Sequence, residues 1–228
     1  MHAGVKKTRY GAALRGATLL ILLSLSAATC SAGVVSDSLK TTLDKVINIL
    51  NDSALKSPAQ ADERRSRLYA VLKERFDEVA FARRALGKHW KTLAAAEKKE
   101  FVELFSDLLM RTYFEKIDAY LNKTDSFTPD SIKYLKEKIG KRYAVVETNV
   151  VLNKTTAVPV FYRLENKEGS WLVSDIAIEG VSLLKNYRVQ FNEILINSSF
   201  KDLLERLKKM QAQAGAVRKT ASLRRIAG

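Results

Sequence analysis

From Ser36 to Asn51 the apolar residues Leu39, Leu43, Val46, Ile47 and Leu50 recur at three- and four-residue spacing, which predicts a helix with one buried face. Ser57-Pro58 interrupts the pattern. A second helix begins near Ala59 and turns Leu68, Val71 and Leu72 inward. Phe76 to Leu86 reads as a third, short helix stopped by Gly87. Thr92 is placed to cap a fourth, running to about Leu121 with the stripe Phe101, Leu104, Phe105, Leu108, Leu109, Tyr113. After Asn122–Asp125 the period changes to two. Ile132–Ile139, Tyr143–Leu152, Thr155–Glu165 and Ser170–Ile178 read as strands, with turns at Asn153-Lys154 and Asn166–Gly169. Ala144, Val146, Thr148, Val150 and Leu152 share one face of the second strand; Val158, Val160, Tyr162 and Leu164 alternate along the third. Pro159 argues that its strand lies at an edge or is bulged. The last strand places Trp171, Val173 and Ala177 on one side and Leu172, Ile176 and Ile178 on the other. Two helices follow, Ser182–Ile196 and Phe200 to about Gln211, the second opened by a Ser199/Asp202 capping box. Helices, an antiparallel meander, then helices make an α+β chain with one domain over 33–211.

The first 32 residues change the compartment rather than the fold. Lys6, Lys7, Arg9 and Arg15 precede an apolar run, Ala17–Ala28, too short to span a bilayer. Small residues then offer cleavage after Ala28 or Ala32, so residues 1–32 are expected to be a secretory signal peptide and the mature protein to reach the periplasm. Cys30 lacks the neighbours of a lipoprotein anchor, and cleavage after Ala32 leaves no thiol. Removing four leader cations from the formal charge of +14 leaves +10. Such a surface suits lipid headgroups, a transient membrane-surface contact or an acidic protein patch, and export argues against nucleic acid. Residues 212–228, with four of those cations and few large apolar groups, are expected to form a basic tail without fixed structure.

Catalytic chemistry is sparse. His89 is the single histidine of the mature chain, and no triad, zinc pattern or phosphate loop is spelled out, so neither an enzyme nor a metal site is expected. One enzymatic alternative remains: a curved sheet closed by helices could pair Asp175 with Tyr162 for acid–base work of the ketosteroid-isomerase kind.

Apolar surface is plentiful by contrast, and one segment gives it a meaning. Trp171-x-x-x-Asp175-x-x-x-Glu179-Gly180-Val181-Ser182 resembles the signature of the MlaC family of periplasmic phospholipid-binding proteins, also called the toluene-tolerance family. The resemblance continues in Phe76-Asp77-x-x-x-Phe81-Ala82 with Leu86-Gly87-x-x-Trp90, in Glu97-x-x-x-Phe101-x-x-x-Phe105-x-x-x-Leu109-x-x-x-Tyr113, and in Ala144–Val150. Val160-x-Tyr162-Arg163-Leu164, Gln190-Phe191 and Leu203-Leu204-x-x-Leu207 complete it, over roughly residues 36–210. It implies an NTF2-like cone: four to five curved antiparallel strands on six or seven helices around an apolar cavity. It also implies a shuttle that takes lipid between an outer-membrane lipoprotein–porin complex and an inner-membrane ABC transporter with a hexameric lipid-binding subunit. Phospholipid is then the cargo, no cofactor is needed, and some members are associated with hopanoids instead.

With acyl chains inside, the candidate lining residues are Phe81, Leu86 and Trp90 on the third helix and its exit, with Phe101, Phe105 and Leu108 on the fourth. The strands offer Val146, Val150, Val160, Tyr162, Val173, Ile176 and Ile178, and the junction with its following helix offers Val181, Leu184 and Tyr187. Gly180 allows the sharp turn there and Ser182 caps the helix, which makes Val181 the leading contact at the mouth; a staple packing the helix start is the alternative.

Overall fold

The computed structural model describes residues 33–121, 128–152 and 156–226. The leader, Cys30 and the turns expected at Asn122–Asp125 and Asn153-Lys154 lie outside them. Six α-helices flank a five-stranded sheet among the described residues: α1 (Val34–Asn51), α2 (Ala61–Lys73), α3 (Glu78–Leu86), α4 (Ala95–Leu121), α5 (Leu183–Asn197) and α6 (Phe200–Ile226). The strands are β1 (Ile132–Ile139), β2 (Tyr143–Val151), β3 (Ala157–Lys167), β4 (Ser170–Ile178) and β5 (Val181–Ser182), paired antiparallel in chain order. The α+β class and the curved, unclosed meander are as expected, and β5 supplies the fifth strand.

Local chemistry explains most element ends. Asp77 caps α3 by accepting from the Ala80 amide at 2.7 Å, so that helix starts after Phe76 rather than at it. Gly87 ends it at φ 56°, a conformation that costs a residue with Cβ about 1–2 kcal/mol. Thr92 does not cap α4. Its hydroxyl donates to the His89 carbonyl at 3.0 Å inside a 3₁₀ turn, Gly87–Thr92, while the Ala94 amide donates to Glu97 at 2.8 Å. The Ser199/Asp202 capping box is present in both directions, at 2.9 and 3.1 Å. From there α6 runs past Gln211 to Ile226: its Ala-, Lys- and Arg-rich end has the backbone of a helix, as the propensities of those residues allow. The α1 terminus borrows its cap from the sheet, since Glu137 of β1 accepts from the Ser36 amide at 2.6 Å.

A bulge in β4 decides which side chains face inward. Arg163 pairs with Asp175, but Leu164 pairs with Val173, so Ser174 is the extra residue. Simple alternation put Val173 opposite Ile176 and Ile178. The bulge instead brings all three to the face of Val160, Tyr162 and Leu164, their partners on β3. Pro159 is in an interior strand, not an edge strand. It is tolerated because β4 ends at Ile178, opposite Val160, so β3 has no strand on that side at Pro159; its carbonyl accepts from the Glu179 amide at 2.9 Å.

Buried side chains form three groups. One joins α3, α4, α5 and α6 through Phe81, Phe101, Phe105, Tyr187, Phe191 and Leu203. A second joins α1 to the inner sheet face through Val35, Leu39, Val146, Tyr162 and Leu164. A third, small one joins α1, α2 and α4 through Leu50, Leu68 and Phe114.

Candidate functional site: an apolar cavity between α1, α4 and the sheet

Between these groups the packing stops short. A cavity of about 300 Å³ remains, the volume of about ten waters at the ~30 Å³ that each takes up in the liquid. Its floor is the inner sheet face: Val160, Tyr162, Val173, Ile176 and Ile178. One wall is α1 with Leu39, Thr42, Leu43 and Val46; another is α4 with Leu109, Met110, Tyr113, Phe114 and Ile117. Leu72, Phe76, Phe81 and Leu183 close the ends.

Polar groups on the lining are few. Tyr162 is 8% exposed and hydrogen-bonds Thr148; burial first of all pushes its phenol up to about 12. Tyr113 is likewise pushed up to about 12, by burial and then by neighbouring Tyr187. Both stay neutral at any physiological pH. Arg75 presents its stem to the cavity and aims its guanidinium into the wall, donating to the Trp171 carbonyl at 3.0 Å, Thr42 Oγ1 at 3.2 Å and the Ser38 carbonyl at 3.3 Å. A cavity with so few hydrogen-bonding groups holds water poorly and apolar ligands well.

Six expected lining residues stand at the cavity: Phe81, Val160, Tyr162, Val173, Ile176 and Ile178. The others do not. Leu86, Phe101, Phe105 and Tyr187 are consumed in the filled core, with Trp90, Leu108 and Leu184 packed on it. Val146 is fully buried on the inner sheet face, in the packed group with Leu39 and Leu164, and Val150 packs against that group. Val181 is 59% exposed and is not among the lining residues. Glu179 (φ 51°) and Gly180 (φ 81°) form a two-residue hairpin turn that pairs Val181 with Ile178 and leaves its side chain in solvent. What sequence reading missed is the α1 wall and the C-terminal half of α4. Their signal was present, since Leu39, Leu43 and Val46 and the pair Leu109 and Tyr113 all lie on the periodic stripes; the stripe alone does not say whether it meets a side chain or a space.

The acid–base pair is not assembled. Tyr162 pairs with Ile176 and points inward, whereas Asp175 pairs with Arg163 on the opposite face. Asp175 is 6% exposed and works as a cap, accepting from Ser182 Oγ at 2.6 Å and the Leu184 amide at 3.1 Å. His89 meets Asn192 at 3.1 Å, away from the cavity lining. No cluster of metal-ligating side chains occurs among the described residues.

The MlaC protein family model matches residues 40–209, which include every lining residue but Leu39. The chain belongs to the MlaC family. It is 23% identical over 133 residues to the intermembrane phospholipid transport system binding protein MlaC of Haemophilus influenzae, covering 57% of this chain and 60% of that protein. It is 30% identical over 108 residues to the toluene tolerance protein ttg2D of Pseudomonas putida, 47% of each chain. The alignments thus span less than two thirds of either relative. The fold is also that of the phospholipid-binding protein from Ralstonia solanacearum, solved in complex with a phospholipid: the TM-score is 0.65 at 24% identity, over 78% of this chain and 96% of that one. An MlaC fold therefore frames the cavity, and its inner sheet face, α1 and α4 form the candidate site.

Proposed function

We propose that this chain is a periplasmic lipid carrier that holds phospholipid acyl chains in the cavity between α1, α4 and the sheet. The observation that carries the reading is the cavity itself: about 300 Å³, walled by apolar side chains, in a chain of the MlaC family. Each methylene moved into it from water gains about 0.8 kcal/mol, so a chain of ten or more buried carbons supplies on the order of 8 kcal/mol without a catalytic group. A carrier of this kind serves the outer-membrane lipoprotein–porin complex and the inner-membrane ABC transporter with its hexameric lipid-binding subunit, and the leader expected at residues 1–32 would deliver it there.

Native mass spectrometry of protein purified from the cell envelope tests this. The expected result is a mass increment of one phospholipid; its value separates phospholipid from a hopanoid. Leu43→Trp and Ile176→Trp, which fill the space, should abolish the increment while keeping the melting temperature within a few degrees. A wild-type protein that takes up no lipid from vesicles, or filled variants that fold and carry normally, would overturn the reading.

A further inference from the structure

Four of the nine large apolar side chains exposed among the described residues gather at one edge of the sheet. Leu135 and Ile139 belong to β1, Tyr143 opens β2 and Val34 opens α1; each is about half exposed. Val34 is held at this edge because Glu137 of β1 accepts from amides on both sides of it, Gly33 at 3.3 Å and Ser36 at 2.6 Å. β1 is the outermost strand, and no strand pairs with its far edge among the described residues. Lys133, Lys136 and Lys138 pair with Asn149, Glu147 and Val145, so they share the sheet face opposite the cavity floor, and Lys141 follows in the turn to β2. All four lysines are exposed, and none has an acidic partner among the described residues. Between Ile132 and Asn149 the only carboxylates are Glu147, on the lysine face, and Glu137, turned to α1. Arg142 is spent on Glu165 at 2.7 Å.

We propose that this edge docks the protein on a bilayer surface rich in anionic phospholipid. The contact needs no occupied cavity, so it stands apart from the carrier reading above. Single apolar side chains set among long cationic ones suit such a surface: the former enter between headgroups, while lysine stems lie along the apolar layer and keep their ammoniums at the level of the phosphates. The ring of Tyr143, apolar in its body and polar at its tip, suits the same layer. A free edge otherwise invites a second strand. Here Leu135 is an extra residue that breaks the ladder between Tyr134 and Lys136, and the lysines repel a second copy of the same edge. A protein partner of ordinary kind would need an apolar centre free of charge, and the lysines interrupt any such centre. Docking in this way also brings a cavity wall to the bilayer, since Leu39 stands five residues from Val34, about 7.5 Å along α1.

The test is flotation of the full chain with vesicles of equimolar phosphatidylcholine and phosphatidylglycerol, and with vesicles of phosphatidylcholine alone. Wild type should float with the mixed vesicles at least tenfold more than with the neutral ones, and the difference should shrink as salt is raised. Lys133→Gln combined with Lys136→Gln and Lys138→Gln should lower this binding at least fivefold. Arg83→Gln combined with Lys88→Gln and Lys91→Gln removes the same charge from exposed positions of α3 and the turn after it, and should leave flotation unchanged. Leu135→Ser combined with Ile139→Ser should weaken binding several-fold. Tyr143→Trp keeps every lysine, and the emission it adds should move to the blue on mixed vesicles and not on neutral ones. Equal flotation with both vesicles, equal loss from the two triple variants, full binding by the serine variant, or an unmoved emission from the Tyr143→Trp protein would overturn the docking edge. So would capture of poly-glutamate, lost in the edge lysine variant, by a protein that ignores mixed vesicles; that result points to an acidic protein instead. Oleate uptake, measured alongside, keeps the two readings apart. A wild type that takes up oleate but does not float defeats the docking edge alone, whereas one that floats but takes up neither oleate nor phospholipid defeats the carrier reading alone.

Discussion

The two halves of α4 carry similar amounts of apolar surface and put it to opposite uses. In the N-terminal half, Phe105 has ring centroids 5.5 Å from Phe101, 5.7 Å from Phe81, 5.1 Å from Tyr187 and 5.0 Å from Phe191. Stacked and edge-on rings at such distances fill space and lock one another. In the C-terminal half, Leu109, Met110, Tyr113, Phe114 and Ile117 pack on buried clusters on one side and border the cavity on the other. A helix can therefore be anchored at one end by a filled core and lend its other end to a cavity. The filled half supplies the stability that the open half gives up.

If that contrast is right, Phe105→Ala should be the most damaging change. It should cost about 3–5 kcal/mol, the range for losing a large buried ring in a site that cannot collapse, read from urea denaturation. A loss near 1 kcal/mol would mean that the aromatic core is looser than its ring geometry.

The next effect concerns the clamp between the filled half and the sheet. Glu165 of β3 is 3% exposed and ion-paired with Arg84 of α3 and with Arg142, the latter at 2.7 Å. Burial alone would raise its pKa; hydrogen bonds from Arg142 and Arg84 outweigh this and hold it below the usual glutamate range. The folded pKa is depressed, so the stabilisation is complete above the unfolded value of about 4.3 and is lost as pH falls through the lower folded value. Glu165→Gln should cost about 1.5–3 kcal/mol at neutral pH, as expected for hydrogen bonds to a charged group, and should flatten the fall in stability below about pH 4. A variant whose acid profile matches wild type would remove Glu165 from this role.

In the open half, Leu43→Ala should cost no more than about 2 kcal/mol, since the deleted carbons already border empty space and only the transfer term is lost. A cost equal to that of Phe105→Ala would erase the distinction between the halves. The smallest effect belongs to Val181→Glu. At 59% exposure the substitution should change stability by about 0.5 kcal/mol or less and leave lipid extraction at the wild-type level. Impaired extraction by a folded Val181→Glu protein would return this position to the mouth of the site.

The sequence by itself determined the elements and several of their ends. Strands β1 and β4 occupy Ile132–Ile139 and Ser170–Ile178, as alternation and turn residues indicated, and the Ser199/Asp202 box starts α6 where its side chains predicted. These are local matters, settled by period, turn chemistry and capping within a few residues. Family membership was legible for a similar reason, because it rests on short motifs in a fixed order. Tertiary structure alone decided the rest. The Ser174 bulge moved Val173, Ile176 and Ile178 to one face, and no period-two count along the strand could show where the ladder would slip. The packing of elements likewise split the apolar residues between filled core and cavity: Phe105 and Leu43 look alike in a hydrophobic stripe, and only what surrounds each determines which one borders a space. Burial is a property of the space between elements and not of any one of them.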